Sequence, residues 1–95
     1  MSLAGLAERP PMRQPNVSVY GSMTCPDTVR ATKFLDDQGV PYEFKDVDES
    51  PELNEYIAGL NHGKRVMPTI QVENDILINP GLKKLDEAVR AASTG

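Results

Sequence analysis

The sequence predicts one α/β domain, a four-stranded mixed sheet with three helices in the order β-α-β-α-β-β-α. Three observations predict it. The alternating runs Val17-Ser18-Val19-Tyr20 and Tyr42-Glu43-Phe44-Lys45-Asp46-Val47 are separated by one segment of helical period, the pattern of two strands joined by a helical crossover. Two further apolar runs flank Glu73-Asn74-Asp75, the pattern of a hairpin. Pro26, Pro51 and Pro80 each stand just ahead of apolar residues spaced by three and four, as a proline in a first helical turn does.

Residues 1–15 carry Pro10, Pro11 and Pro15 with Arg9 and Arg13 and show no period, so they read as a loose, partly extended arm ahead of a domain over 16–95. Strand one spans 17–20 and stops at Gly21. Helix one runs over 26–38, with Pro26 and Asp27 at its first two positions, Val29, Ala31, Phe34 and Leu35 as its apolar contacts, and Gly39 closing it. Strand two spans 42–47. Ser50 then caps helix two, with Pro51 at its first position and Leu53, Tyr56, Ile57 and Leu60 on one face, and the helix ends within 59–61. The polar loop 61–65 leads into the apolar segment 66–72, where Pro68 lacks a donor for the ladder and so belongs at a strand end or bend. Residues 76–78 complete the hairpin. Asn79 and Pro80 repeat the cap-then-proline signal, and Leu82, Leu85, Val89 and Ala92 mark helix three.

The chain has 95 residues, room for one modest core, and 39% hydrophobic against 25% charged side chains is an ordinary globular balance. With a net charge of −4 and no basic stripe, nucleic acid is excluded as an expected partner. No apolar run approaches the ~18 residues of a membrane span, and no continuous apolar stretch marks a secretory leader. The expectation is a cytoplasmic monomer without a membrane partner, in a compartment that keeps single thiols reduced.

The only cysteine, Cys25, falls at the start of helix one. Any disulfide it forms must therefore join it to another molecule. A helix start offers unpaired N–H groups and the positive end of the dipole, both of which favour the thiolate, the form that attacks disulfides. A free thiol has a pKa of about 8.5. The helix terminus offers roughly 0.3–1 kcal/mol, up to ~2 when partly buried, where one pKa unit is about 1.4 kcal/mol. Asp27 opposes this with about 1 kcal/mol at ~7 Å. These nearly cancel, so the balance falls to Thr28, whose hydroxyl at the third helical position could donate to the sulfur, and to Arg65 if its loop brings it close, and a moderately lowered pKa is expected.

Each candidate has a plainer reading beside the functional one. Cys25 could be a small buried hydrophobe, but polar Thr24 and Asp27 beside it argue for exposure. Thr28 is either an ordinary first-turn residue or a support for the thiolate. Lys64 and Arg65 are either a solvated loop or a binder of carboxylate, and Asn79 is either a helix cap or a ligand contact. His62, in a polar loop without companion ligands, reads as a surface residue, and Tyr20 as core or rim.

A cysteine at a helix start after strand one, Met67-Pro68-Thr69 opening strand three, and a helix after a final hairpin together resemble the glutaredoxins, of the thioredoxin-like fold. The resemblance covers about residues 16–92 and includes Gly39-Val40-Pro41-Tyr42 and Asp46-Val47-Asp48. Residues 64–70 and Ile78-Asn79-Pro80 look closest to the mycoredoxin-like and related small bacterial branches. The resemblance implies a cis bond before Pro68, which faces Cys25, and a Met67 backbone that adds an extended cysteinyl peptide like a strand. It implies Cys25 and Thr28 as catalytic residues and Thr24, Pro26, Arg65, Met67, Pro68 and Asn79 as substrate contacts. It also implies no tightly bound cofactor, with glutathione or another low-molecular-weight thiol as co-substrate and protein mixed disulfides as partners.

The departures narrow the chemistry. Thr28 stands where dithiol members have a second cysteine, so no resolving step occurs within the chain. Pro26-Asp27-Thr28 replaces the Gly-Phe-Ser of the iron–sulfur carriers, Ser22 replaces a lysine three residues before the cysteine, and Asn79-Pro80-Gly81 replaces the Gly-Gly and Asp that hold a glutamyl group. The expected function is a monothiol, glutaredoxin-like thiol–disulfide oxidoreductase acting through Cys25. The alternatives are an iron–sulfur carrier, with Cys25 from each half of a homodimer and two external thiols as ligands, and a redox-inactive binding domain.

Overall fold

A computed structural model describes residues 14–94. Its elements are β1 (Val17–Gly21), α1 (Pro26–Asp37), β2 (Glu43–Asp46), α2 (Pro51–Gly59), β3 (Thr69–Val72), β4 (Asp75–Ile78) and α3 (Leu82–Thr94). They form one four-stranded sheet in the order β2-β1-β3-β4. β1 runs parallel to β2, with Ser18 opposite Glu43 and Gly21 opposite Asp46. It runs antiparallel to β3, with Val17 opposite Val72 and Tyr20 opposite Thr69. β3 and β4 form the hairpin, closed by Glu73 at a φ of 54°. The mixed sheet, the three helices and their order are those expected from the sequence.

Alternation along β1 splits the core into two layers. Val17 and Val19 face Ala31 and Leu35 of α1, Ile70 and Val72 of β3, and Leu85 and Val89 of α3. Tyr20, on the opposite face, packs with Val47 and Ile57, and Leu53 and Met67 lean on that cluster. Leu35, Ile57, Ile70 and Leu85 are all fully buried, each worth roughly 1.5–3 kcal/mol of apolar transfer. Burial of Val19 and Tyr20 on β1 and of Ala31 and Leu35 on α1 anchors the two elements that flank the loop carrying Cys25.

Several boundaries differ from the sequence reading. Gln38 is the C-cap of α1 rather than its last residue. Gly39, at a φ of 70°, then lets its own N–H reach the Asp36 carbonyl at 3.1 Å and Val40 N–H reach Leu35 at 2.9 Å. Tyr42 and Val47 fall outside β2: the Val47 N–H does bond the Gly21 carbonyl, at 3.0 Å, but the chain already turns there. In the segment 66–72 only Thr69 onward is strand, and β4 begins at Asp75. Ser50 caps α2 as expected, its hydroxyl accepting from Leu53 N–H at 3.3 Å. Asn79 does not cap α3. It adopts a φ of 46°, and the carbonyl that accepts the first bond of that helix, from Leu85 N–H at 3.0 Å, belongs to Gly81. Of the arm expected over 1–15, residues 1–13 lie outside those described; Gln14 is exposed and Pro15 buried.

Candidate functional site at the end of the central strands

The register brings four chain segments to one end of the sheet. β1 ends at Gly21 and enters the loop to Cys25, and parallel β2 ends beside it at Asp46 and enters the turn that carries Asp48. Antiparallel β3 starts at the same end, directly after Pro68, and β4 leaves from it into Asn79. The Asn79 N–H donates to the Pro68 carbonyl at 2.8 Å, so the residue misread as a helix cap joins the segment before β3. The Met67-Pro68 bond is cis, and Pro68 is fully buried.

Cys25 is partly buried and is the N-cap of α1, with φ −94° and ψ 120°. Its N–H donates to the Ser22 carbonyl at 2.9 Å, and its own carbonyl accepts from Val29 at 3.1 Å. Pro26 occupies the first helical position and supplies no donor. The amides open to the sulfur are therefore those of Asp27 and Thr28. The Thr28 N–H is the strongest influence on the thiol and lowers its pKa; burial raises it; the Thr28 hydroxyl and the Asp27 N–H lower it; and the Asp27 charge, the weakest, raises it. The net shift is downward, in the expected direction. Asp27 opposes it least, and its carboxylate is paired with Arg30 on the next turn.

Thr28 is fully buried, and its hydroxyl is the one buried side-chain polar atom among the described residues without a regular hydrogen-bond partner. An unmet buried donor beside a thiol is satisfied when that thiol ionises, since a thiolate is a far stronger acceptor than a thiol. By regular hydrogen-bond geometry the Cys25 side chain makes no capping bond. Gly21 makes room for Thr28, because a Cβ at Gly21 would lie 2.5 Å from Oγ1 and 2.8 Å from Cγ2 of that side chain.

The other candidates are placed as follows. Thr24 and Pro26 are exposed on either side of Cys25. Met67 is half-buried against the Tyr20 cluster, and its backbone makes no loop or turn hydrogen bond among the described residues. Arg65 is exposed and is not among the groups that set the Cys25 pKa, contrary to the role considered for it. It donates instead to Asn54 Oδ1 at 2.7 Å, while Asn54 Nδ2 donates to the Val47 carbonyl at 2.6 Å. Tyr20 is core, its ring tilted by 43° against that of the exposed Tyr56 at 5.4 Å between centroids, and burial pushes its phenol pKa up. His62 is exposed in the turn after α2, at a φ of 57°. No group of three or more His, Cys, Asp or Glu among the described residues is placed to hold a metal ion. No helix among them is long and apolar enough to cross a membrane.

Sequence reasoning missed Asn54 and Asp48. Ser22 it noted only as a missing lysine. The Ser22 hydroxyl donates to Asp48 Oδ2, accepts from the Thr24 hydroxyl at 2.7 Å, and accepts from the Thr24 N–H at 3.2 Å. The burial of Ser22 shows only in the structure, and nothing in the sequence marks its contact with Asp48.

A cysteine at a helix start, at the same end of the sheet as a cis-proline that opens an antiparallel strand, defines a thioredoxin-like protein. The chain belongs to the glutaredoxin family, whose model, described as Glutaredoxin, matches residues 17–77. A curated relative, Mycoredoxin 1 of Corynebacterium glutamicum, is 36% identical over 56 residues, which is 59% of this chain and 68% of that protein. Among solved structures, a glutaredoxin from Archaeoglobus fulgidus superposes with a TM-score of 0.71 at 25% identity, over 80% of this chain and 87% of that one. A Brucella melitensis glutaredoxin shares the fold, with a TM-score of 0.68 at 21% identity over 90% and 95% of the two chains. This chain is a monothiol member close to the mycoredoxin-like branch, and its thiol–disulfide exchange runs through one cysteine.

Proposed function

We propose that the protein reduces mixed disulfides between proteins and a low-molecular-weight thiol, glutathione or mycothiol, in the cytoplasm, with Cys25 as nucleophile. The observation that carries this reading is a thiol with a lowered pKa at the N-cap of α1, faced by the Thr28 and Asp27 N–H groups. In the first step the Cys25 thiolate attacks the small thiol's sulfur. A new disulfide forms between Cys25 and that thiol, and the protein substrate leaves as a thiolate that takes up a proton. In the second step another small thiol, as thiolate, attacks the same small-thiol sulfur. The oxidised small-thiol dimer departs, and Cys25 is restored as thiolate.

Thr28 supports the thiolate with its amide and hydroxyl. The Met67 backbone adds the cysteinyl part of the substrate as an extra strand, against Pro68 and Asn79. Thr24 and Pro26 form the near wall. Arg65 spends one N–H on Asn54 and keeps the rest of its fork for a substrate carboxylate. The protein acts as a monomer, and no step requires a bound cofactor.

The test is turnover of a glutathione- or mycothiol-mixed disulfide of a small model peptide, with mass spectrometry of the trapped Cys25 adduct. The expected result is turnover with at least one of the two, abolished in Cys25→Ser. Absence of turnover with both, or turnover that survives Cys25→Ser, would refute the proposal.

A further inference from the structure

We propose that Ser22, clamped by Asp48, is the positioning residue that aims Cys25 at its helix. The inference rests on Cys25 as the reacting thiol. The sulfur's favourable partners, the amides of Asp27 and Thr28, are fixed within α1, whereas Cys25 itself is the last residue of a loop and its side chain holds no capping bond. The bond from Val29 N–H to the Cys25 carbonyl ties the backbone to α1, and the loop conformation sets how the side chain meets those amides.

Ser22 controls that loop. It is 2% exposed, and its carbonyl accepts the Cys25 N–H at 2.9 Å. Its hydroxyl is saturated: the one proton goes to Asp48 Oδ2, and the two lone pairs receive the hydroxyl and the N–H of Thr24. Three of the loop's polar groups thus converge on one residue. The donation to Asp48 sets the direction of the whole set, because a hydroxyl whose proton is committed to a carboxylate is left as an acceptor toward Thr24.

Asp48 is in turn held by its own segment. Its N–H donates to Asp46 Oδ1 at 2.9 Å and Glu49 N–H to the Asp46 carbonyl at 3.2 Å. The preceding Val47 is pinned on both sides, its N–H to Gly21 at 3.0 Å and its carbonyl by Asn54 at 2.6 Å. The nucleophile loop is therefore bolted across the sheet end to the turn between β2 and α2. Asp27 on α1 is the charged group that acts on the thiol directly; Asp48 works through the Ser22 hydroxyl as an acceptor.

The rate of Cys25 alkylation by iodoacetamide, measured against pH, tests this without any disulfide substrate, so it can succeed or fail separately from turnover. Ser22→Ala and Asp48→Ala each raise the midpoint of the profile by about 0.5 pH unit or more. Asp48→Asn retains an oxygen to accept from Ser22 and restores the midpoint lost in Asp48→Ala. Unchanged midpoints in Ser22→Ala and Asp48→Ala overturn the proposal. So do equal upward shifts in Asp48→Asn and Asp48→Ala, which would show that accepting from the Ser22 hydroxyl is not what Asp48 contributes. Asp48 is exposed, so its two variants fold and decide the matter even where Ser22→Ala does not.

Discussion

Gly21→Ala should damage stability and thiol reactivity together, because the added methyl has no space that is not already held by Thr28. The new Cβ would stand 2.5 Å from Thr28 Oγ1, 2.8 Å from Cγ2 and 3.2 Å from Cβ, the first almost an ångström inside ordinary contact. Neither side can retreat freely: Gly21 is paired with Asp46 in β2 and holds the Val47 N–H, and Thr28 is a fully buried residue in the first turn of α1. Overpacking of this kind costs typically about 1–3 kcal/mol. For a domain of this size each kcal/mol lowers the melting temperature by ~4–8 °C, so the variant should melt roughly 4–24 °C below the parent. Any displacement of Thr28 also withdraws the N–H and hydroxyl that lower the Cys25 pKa, so the alkylation midpoint moves up. Adding Thr28→Ala removes Oγ1 and Cγ2 and recovers part of the lost stability, a coupling of about 0.5–3 kcal/mol in a double-mutant cycle. It does not recover the hydroxyl's share of the pKa shift. A Gly21→Ala protein with the parent's melting temperature and alkylation midpoint would show that the strand does not crowd Thr28, and the reasoning would fail.

Two further outcomes follow from the same geometry. Thr28→Val keeps the shape and removes the orphaned hydroxyl, so unfolding by denaturant should show stability unchanged or raised by up to ~1–3 kcal/mol. Its alkylation midpoint should rise by less than in Gly21→Ala, since losing one of several lowering influences leaves the Thr28 amide in place. Asn54→Ala releases Arg65 and leaves the Val47 carbonyl without its side-chain donor, and steady-state kinetics with the mixed-disulfide peptide should show a higher KM with kcat little changed.

The fold was legible because its signals are local. Pro26 and Pro51 sit at true helix starts, Ser50 is a true cap, and strand alternation located β1 and β2. Asn79 followed the same local grammar and misled. Its backbone is turned to a positive φ by a bond to Pro68, eleven residues away in sequence and next to it in space. Cys25, Thr28 and the cis bond before Pro68 could be anticipated, the first two from helix position and the third from resemblance. Ser22 with Asp48 and Arg65 with Asn54 could not, since the first pair is made by the turn after β2 and the second by α2, each packed against a neighbouring loop. Sequence spacing carries no trace of that packing.

The hydroxyl of Thr28, left unmatched while Cys25 is a neutral thiol, bears on how the catalytic cycle closes. A sulfur stabilised as an anion is both a ready attacker and a ready leaving group. Once Cys25 is locked in a mixed disulfide it no longer offers Thr28 a strong acceptor, and displacement by an incoming thiol gives that acceptor back. The adduct is thereby made easy to cleave from outside, which a chain with no second cysteine of its own requires.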